Sequence, residues 1–474
     1  MATARLVVGF DLDMTLLDTR PGIAAALRQL SAQTGVPIDA DAAVSRLGPP
    51  LQQELAHWFP PGAVDAAVTS FRELYPHHAI ATSAALPGAA AAVEAVRSAG
   101  GRVGVITAKR DDLAVAHLAH VGLVADEVHG LCWQDGKSQA LRETGATVYV
   151  GDHLADMAAA RAAGVTAVGV TTGPCSAQQL REAGADVVLA DLTGFPDWLA
   201  GHLLGVRLAT LDRLLRGLGR VVVAYSGGAD SAFLLAAAAR ALGPGNVVAA
   251  TAISPSLPAS ELTAAKRLPR QLGVPHLTPE TDELSRDGYR ANAGDRCYFC
   301  KAELLETLIP LADGATVLTG TNADDAVAGF RPGIRAAEQR GAVAPLRDAG
   351  LTKAQVRQAS RDWGLSTWDK PAAACLSSRI AYGIPISRER LARVERAEAA
   401  LRAALDEAGI AVRDLRIRDL GEAGASVEVD AAAVPALTAQ PELLAAVEGF
   451  PSVVVDPRGF RSGSMNDGLP ARFR

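Results

Sequence analysis

The stretch Val221–Ser231 reads VVVAYSGGADS, an apolar β-branched run that ends in a Ser-Gly-Gly-x-Asp-Ser loop, and the Ala- and Leu-rich residues after it predict a helix from about Ala232. Strand, glycine loop and helix in direct succession make one βα unit whose loop is built to meet an anion. Gly227 and Gly228 allow positive φ and close backbone approach, and free N–H groups and the positive helix end then face the ligand, as in a pyrophosphate cradle. Ser226 and Ser231 add hydroxyl donors, and Asp230 adds a carboxylate. No Lys-Ser/Thr pair follows a second glycine, so the loop is not of the kind that transfers a terminal phosphate. It suits cleavage of ATP at the α-phosphorus.

A chain of 474 residues has room for about three domains, and 49% hydrophobic with 21% charged residues is an ordinary soluble composition. A net charge of −6 and a pI near 5.9 argue against broad nucleic-acid affinity, which needs a basic face. Residues 2–10 do not read as a secretion signal, and no run approaches the ~18 apolar residues of a membrane span. The expectation is a cytoplasmic enzyme acting on a small molecule, with no nucleic-acid or membrane partner. Five cysteines in a chain of this length do not look like a disulfide framework, and their spacing points to thiolate chemistry.

Strand-like runs at Leu6–Phe10, Val103–Ile106, Val148–Val150 and Ala167–Val170 alternate with helical stretches, the rhythm of a parallel sheet covered by helices. Between about 19 and 83 strand signals vanish, which predicts a helical cap. A leucine-rich helix over 194–219 leads into a second βα series with strands at Val247–Ile253 and Thr316–Gly320. A helix near 388–408 then precedes short strands at Leu415–Ile417, Ala425–Val429 and Ser452–Asp456. The expected architecture is α/β: two Rossmann-like parallel-sheet domains, 1–200 and 201–385, and a small α+β domain over 386–474.

In the first domain, Asp11-Leu12-Asp13-Met14-Thr15 ends the first strand, Thr107 ends another, Lys137 follows Gly136, and Asp152 and Asp156 follow a third. A carboxylate nucleophile for phosphate needs a second acid for the leaving oxygen, a cation to hold the phosphate and a positive side chain to offset charge, and these residues supply each role. The set resembles the haloacid dehalogenase superfamily of phosphatases, phosphoglycolate phosphatase-like members especially. The resemblance implies Asp11 as nucleophile, Asp13 as general acid and base, Thr107 and Lys137 as phosphoryl ligands, and Mg²⁺ held by Asp152 and Asp156 with Asp11, Asp13 being counted in the same metal set. The cap, with Leu47-Gly48-Pro49-Pro50 and Phe71-Arg72-Glu73-Leu74-Tyr75, is expected to choose the substrate. Fusion to an ATP-cleaving domain points to pyrophosphate, AMP or a pathway nucleotide.

The second domain carries Arg296-Cys297-Tyr298-Phe299-Cys300-Lys301, Gly320-Thr321-Asn322-Ala323-Asp324-Asp325, Trp368-Asp369-Lys370-Pro371, Ala374-Cys375-Leu376-Ser377-Ser378-Arg379 and Arg461-Ser462-Gly463-Ser464-Met465-Asn466. Together these resemble the LarE family of ATP-dependent sulfur transferases, of the PP-loop superfamily. The resemblance implies adenylation of a carboxylate of pyridinium-3,5-biscarboxylic acid mononucleotide, release of pyrophosphate and replacement of oxygen by sulfur, in making the nickel-pincer cofactor of lactate racemase. Asp230, with Asp324 or Asp325 behind it, would place Mg²⁺ on the leaving pyrophosphate. Lys370 and Arg379, near Cys375 in sequence, would favour its thiolate. Ser377, Ser378 and Arg379 fall in the substrate motif, and Arg416, Arg418 and Arg461 would clamp an anionic substrate, with Glu398 and Glu428 resembling acidic residues of the family's site.

Two sulfur sources stay open on these residues. Either Cys375 gives up its own sulfur, or Cys297, Cys300 and Cys375 hold a [4Fe–4S] cluster whose fourth iron carries an extra sulfide; zinc with water or histidine is a further use of the same thiols. The cluster is the expectation taken forward. Cys132 and Cys175 read as ordinary buried thiols. A tRNA or other small-molecule thiolase is the alternative that shares the loop and the cysteines, but no RNA-binding module or basic surface is evident. An amide synthase would need a glutaminase segment, and a binding protein on retired enzyme folds would not need the intact acidic and cysteine positions. The family resemblance also implies a homo-oligomer.

Overall fold

The computed structural model describes residues 5–327, 329–371 and 374–461, and the chain divides into two compact units, Met1–Leu203 and Leu204–Arg474. The front unit holds β1 (Val7–Phe10), β2 (Leu17–Asp18), β3 (Ala84–Ala85), β4 (Arg102–Ile106), β5 (Glu127–His129), β6 (Val148–Gly151), β7 (Thr166–Val170) and β8 (Val187–Leu189). Six of these form one parallel sheet in the order β5-β4-β1-β6-β7-β8, while β2 and β3 pair antiparallel at the base of the cap. All four residues of β1 are buried, as expected of a central strand with helices on both faces. Strand order reverses at β1, so its carboxyl end opens on the crevice where ligands of such sheets bind.

The cap is helical and has its own core, built on helices Arg20–Thr34 and Val64–Ala79 with Leu27, Leu30, Phe71 and Tyr75 inside. Gly22 lies so near the backbone of Ala79 that an added Cβ would overlap it, which lets the two helices close on each other.

The rear unit contains β9 (Val221–Ala224), β10 (Val247–Ala250), β11 (His276–Leu277) and β12 (Thr316–Leu318) in a parallel sheet ordered β11-β10-β9-β12. The strands expected to reach Ile253 and Gly320 stop earlier, and Ile253 makes only an isolated bridge to Glu280. The helix after the glycine loop is Ala229–Leu242, three residues longer at its start than the sequence pattern predicts. Gly228 is its N-cap at φ −79°, so of the glycine pair only Gly227, at φ +73°, takes the left-handed conformation. Asp230 and Ser231 therefore sit in the first helical turn, where carboxylates and anions are favoured.

Last come β13 (Leu415–Asp419), β14 (Ala425–Val429) and β15 (Val453–Val455), with β13 and β14 antiparallel and β14 and β15 parallel, packed on helix Arg388–Glu407. Asp419 is fully buried at the end of β13. Its carboxylate accepts from Arg390 at 2.8 and 3.0 Å, from Arg393 at 2.6 Å and from the Gly421 N–H at 2.9 Å. Burial alone would raise its pKa, but these donors outweigh burial and hold it below the usual carboxylate range. Among the described residues no helix is long and apolar enough to cross a membrane.

Removing one partner of a buried charge cluster leaves the others uncompensated. Asp419→Ala is expected to cost about 3 kcal/mol, read as a lower urea midpoint for the transition of the rear unit in the full-length protein.

Candidate active sites

In the front unit, Asp11 leaves β1 with its N–H on the Val150 carbonyl, at 2.8 Å, which fixes its side chain beside the end of β6. Lys137, 2% exposed, places its ammonium 3.0 Å from Asp11 Oδ1 and 2.6 Å from Asp156 Oδ1. Asp152 accepts from Thr15 Oγ1 at 3.0 Å, and Gly173 lies so close that a Cβ there would fall on its carboxylate. Ligand oxygens of Asp11, Asp152 and Asp156 all lie within 4.8 Å of one another. Burial pushes Asp11 up to about 7 against the pull of Lys137, and burial with the Asp11 and Asp156 charges drives Asp152 well above its ordinary value. Three crowded carboxylates sharing the single Lys137 ammonium are what a hard divalent cation relieves.

Asp156 is the best satisfied of the three, since it also accepts from Tyr149 OH at 3.3 Å and from the His153 N–H at 3.0 Å. Thr107 is buried just past the end of β4, its N–H on the His129 carbonyl at 2.9 Å. Asp13 is not in the group of three carboxylates, but its charge reaches Asp11. Its Oδ1 accepts from Thr19 Oγ1 at 2.5 Å and faces Lys109 Nζ at 3.0 Å. Burial would raise Asp13, but Lys109 and Thr19 outweigh it and lower its pKa.

The Lys109 ammonium continues to Tyr75 OH, at 2.5 Å, and Tyr75 OH to His117 Nε2, at 3.0 Å, with Ser83 Oγ 3.0 Å from His117 Nδ1. Asp13 is thus tied through Lys109 to the cap helix that carries Tyr75. No motif in the sequence marks Lys109 or His117 for this, because each matters only through partners 34 to 96 positions away in the chain.

In the rear unit, a cavity of about 340 Å³ opens at the carboxyl ends of β9, β10 and β12, lined by Ser226, Gly228, Asp230, Ser231, Lys301 and Asp325 among others. Ser231 Oγ lies 3.1 Å from Ser226 Oγ and donates to the Gly228 carbonyl at 3.2 Å, so the two hydroxyls brace the loop. Asp230 Oδ1 is buried without a hydrogen-bond partner, and burial first, then the Asp325 charge, raises its pKa. Asp325 shares this cavity, whereas Asp324 turns away to accept from the Lys353 N–H at 2.8 Å. Gly320 admits the close approach of the Ser231 backbone.

Cys375 is half-buried, Cys300 likewise, and Cys297 is exposed. Cys300 has its pKa raised by burial and by the Cys375 and Cys297 charges, so the three thiols are near neighbours. Of the two cations near Cys375 in sequence, Lys370 reaches the glycine loop and Arg379 stays at the cysteine loop. Lys370 Nζ donates to Glu261 Oε2 at 2.6 Å and to the Gly227 carbonyl at 3.1 Å, in the glycine loop. Arg379 grips Glu398 with two bonds of 3.0 and 3.2 Å and ties down the carbonyls of Ala374 and Cys375. Arg296 also faces the thiols; it is buried, bonded to Asn292 Oδ1 at 2.5 Å and to the Ser377 carbonyl at 2.9 Å, and interacts electrostatically first with Cys375 and then with Cys297, while Lys301 lies near Cys300.

Ser377 Oγ meets Tyr289 OH, and Ser378 Oγ donates to the Cys375 carbonyl at 2.7 Å, so both hydroxyls shape the cysteine loop. Arg418 pairs with Glu428 at 2.7 Å and holds the Ser378 carbonyl at 2.9 Å. Glu398 also accepts the Ile417 N–H at 3.0 Å, which staples the cysteine loop to β13. Arg416 lies over the Phe460 ring, and burial followed by the nearby Arg379 charge lowers its pKa. Arg461 interacts electrostatically with Asp456, while Ser462 to Asn466 of its motif lie outside the described residues.

Residues 8–170 match the family of haloacid dehalogenase-like hydrolases. A phosphoglycolate phosphatase of Rhodospirillum rubrum is 30% identical over 216 residues, which cover 40% of this chain and 89% of that protein. An uncharacterized protein of Synechocystis sp. is 39% identical over 272 residues, 56% of this chain and 98% of its own length. The pyridinium-3,5-bisthiocarboxylic acid mononucleotide synthase of Lactiplantibacillus plantarum is 33% identical over 276 residues, 56% of this chain and 96% of that enzyme. The chain joins a haloacid dehalogenase-like hydrolase to a member of the LarE family.

In the LarE half the sequence motifs mark the cysteines and the glycine loop but miss Arg296's role, Tyr289 and Asn292. Asn292 is fully buried at φ +51°, and its side-chain amide serves the carbonyls of Ile380, Ala381 and Ile384. An Asn in a polar stretch carries no signal of such a role.

In the hydrolase half, burial pulls His117 down to about 4. An imidazole with a lower pKa folded than unfolded, where it is ~6.5, leaves the unfolded state holding more protons between those values. Stability is therefore complete above pH ~6.5 and falls as the pH drops towards 4. Urea titrations of the full-length protein between pH 7 and 4 should show this loss in the front unit, and His117→Gln should flatten that slope.

Proposed function

We propose that the rear half adenylates a carboxylate of a pyridinium mononucleotide with ATP and exchanges its oxygen for sulfur, and that the front half is a Mg²⁺-dependent phosphatase of small phosphate compounds. One observation carries the sulfur reading. The Leu376 N–H, next to Cys375, donates to the Ser256 carbonyl at 2.9 Å, and Leu257 lines the ATP cavity, so the thiol loop is fastened to the rim of the nucleotide site.

ATP would lie with its phosphates on the Ser226–Ser231 loop, where backbone N–H groups and the helix end meet negative charge. Asp230 and Asp325 would hold Mg²⁺, which would offset the charge of the departing pyrophosphate; the orphaned Asp230 Oδ1 fits a cation ligand. The substrate carboxylate attacks the α-phosphorus, the α–β oxygen bridge breaks, and pyrophosphate leaves from the acyl-AMP. A sulfur nucleophile then adds to the activated carbonyl and AMP departs. Arg379, Arg416 and Arg418 outnumber Glu398 and Glu428 around the cysteine loop, and this surplus favours an anionic substrate.

For the sulfur source we favour the cluster on Cys297, Cys300 and Cys375. Four-coordinate zinc draws its thiolates to within ~4 Å of one another. Among the described residues the cysteines form no group with all ligand atoms within 4.8 Å, and a cluster that binds each thiol on a separate iron takes the wider set.

In the front half, Asp11 would attack phosphorus while Lys137 and Thr107 hold the phosphoryl oxygens, and Asp152 and Asp156 with Asp11 would hold Mg²⁺, which would supply charge neutralisation. The leaving oxygen takes a proton from Asp13, and Asp13 later removes one from the water that frees phosphate. Lys109 keeps Asp13 ionised, as its second task requires.

Protein purified anaerobically should contain iron and acid-labile sulfide, and with ATP, Mg²⁺ and the biscarboxylated mononucleotide should give a thiocarboxylate product. Iron-free protein whose Cys375 loses one sulfur by mass spectrometry would reject the cluster. Asp230→Ala should lower ATP cleavage about 100-fold while leaving phosphatase turnover intact, and Asp11→Asn should do the reverse, effects of the size that electrostatic and nucleophilic groups command.

A further inference from the structure

The active-site cavity of the front unit encloses about 350 Å³ above Asp11, Asp13 and Lys137. Its floor is ionic, and its walls combine an apolar patch with the charged side chains of Glu54, Arg72, Lys109 and Arg110. Leu47, Pro49 and Pro50 come from the cap loop, Phe71 from the second cap helix, and Leu131 and Trp133 from the loop after β5.

Two features mark these walls as built for a ligand. Leu131 and Gln134, either side of Trp133, both hold positive φ, +55° and +47°, and Leu131 is a large apolar side chain left 66% exposed at the cavity. Left-handed backbone at non-glycine residues costs energy and gathers where a side chain must be presented. The Trp133 ring is also braced from behind by His153, 5.6 Å between centroids. His153 in turn is covered by Gly48 at φ +137°, where an added Cβ would come within 2.7 Å of the imidazole. Glycine at 48 thus lets the cap loop descend onto the same His153 that supports Trp133.

We propose that the substrate of this phosphatase site is a phosphomonoester with a flat heteroaromatic group, a nucleoside monophosphate, whose ring rests on Trp133 within the apolar cap wall. The proposal rests on the phosphatase reading above. A ring on an indole face gains stacking and removes apolar surface from water. Pyrophosphate would leave Trp133, Leu47 and the two prolines facing water and would gain no stacking there. A two-carbon ester would leave most of the cavity to water against apolar side chains. The ribose would reach the polar rim, where Gln52 and Arg72 stand exposed. The reaction balances as nucleoside monophosphate plus water giving nucleoside plus inorganic phosphate, the phosphorus–oxygen ester bond breaking and the leaving oxygen taking a proton. AMP, the product released by an acyl-adenylating half, belongs to this class.

The full-length protein with Mg²⁺ should be assayed for phosphate release from AMP, nicotinamide mononucleotide, phosphoglycolate and pyrophosphate. The expected result is a kcat/KM at least tenfold higher for one of the two nucleotides than for phosphoglycolate or pyrophosphate, with Trp133→Ala and Leu131→Ala each lowering that ratio about tenfold. Because a ratio is read, a partly folded variant does not distort it. Preference for phosphoglycolate or pyrophosphate, or a ratio that neither substitution moves, overturns the proposal. Failure to release phosphate from every compound would instead overturn the phosphatase reading. Calorimetric binding of the same four compounds to the Asp11→Asn protein then decides the ring site separately: nucleotides binding more weakly than phosphoglycolate would reject it.

Discussion

In a parallel sheet the hydrogen-bond ladder runs out at the carboxyl ends of the central strands, and the next residues must turn away with backbone groups still to be satisfied. Both halves of this chain place their chemistry at that point. In the hydrolase half β1 lies between β4 and β6, so Asp11, Thr107 and Asp152 arrive from three strands at one edge. In the LarE half β9 lies between β10 and β12, and the glycine loop, Thr251 and Gly320 converge in the same way. The remaining elements hold these edges in place or close over them.

The two sites handle buried charge differently. The front site crowds Asp11, Asp152 and Asp156 around the Lys137 ammonium, and this leaves negative charge in excess for a cation to balance. The rear site uses arginines as ties. Arg379, Arg418 and Arg296 each hold main-chain carbonyls of the cysteine loop, and Glu398 and Glu428 complete the lattice. Residues that read as substrate clamps are therefore first of all the scaffold that fixes Cys375, and any anion they meet is met through the positive charge left over. The specificity of an arginine fork for planar oxygen pairs serves both tasks.

Much of the fold was legible because its strands are short apolar β-branched runs bounded by glycine, and its helices carry alanine and leucine at helical spacing. The sequence pattern places the helix start late because Asp230 and Ser231 have weak helix propensity, whereas a carboxylate in the first helical turn is favoured by the helix dipole. The acidic motifs of the hydrolase half and the cysteines of the LarE half were legible as ordered sets of reactive residues. The network Asp13, Lys109, Tyr75, His117 was not. Lysine, tyrosine and histidine at ordinary helical or loop positions read as surface residues, and only the packing of cap against sheet buries them together.

The sequence by itself determined the two families, the βα rhythm and which side chains are able to do chemistry, since those follow from local pattern and residue type. Tertiary structure decided which charges meet. It paired Asp13 with Lys109, Lys370 with the glycine loop and Arg379 with Glu398, and set Arg296 beside the thiols. Partners in a folded chain are chosen by distance in space, and electrostatic coupling falls with that distance and rises with burial, neither of which is written in the spacing of residues along the chain.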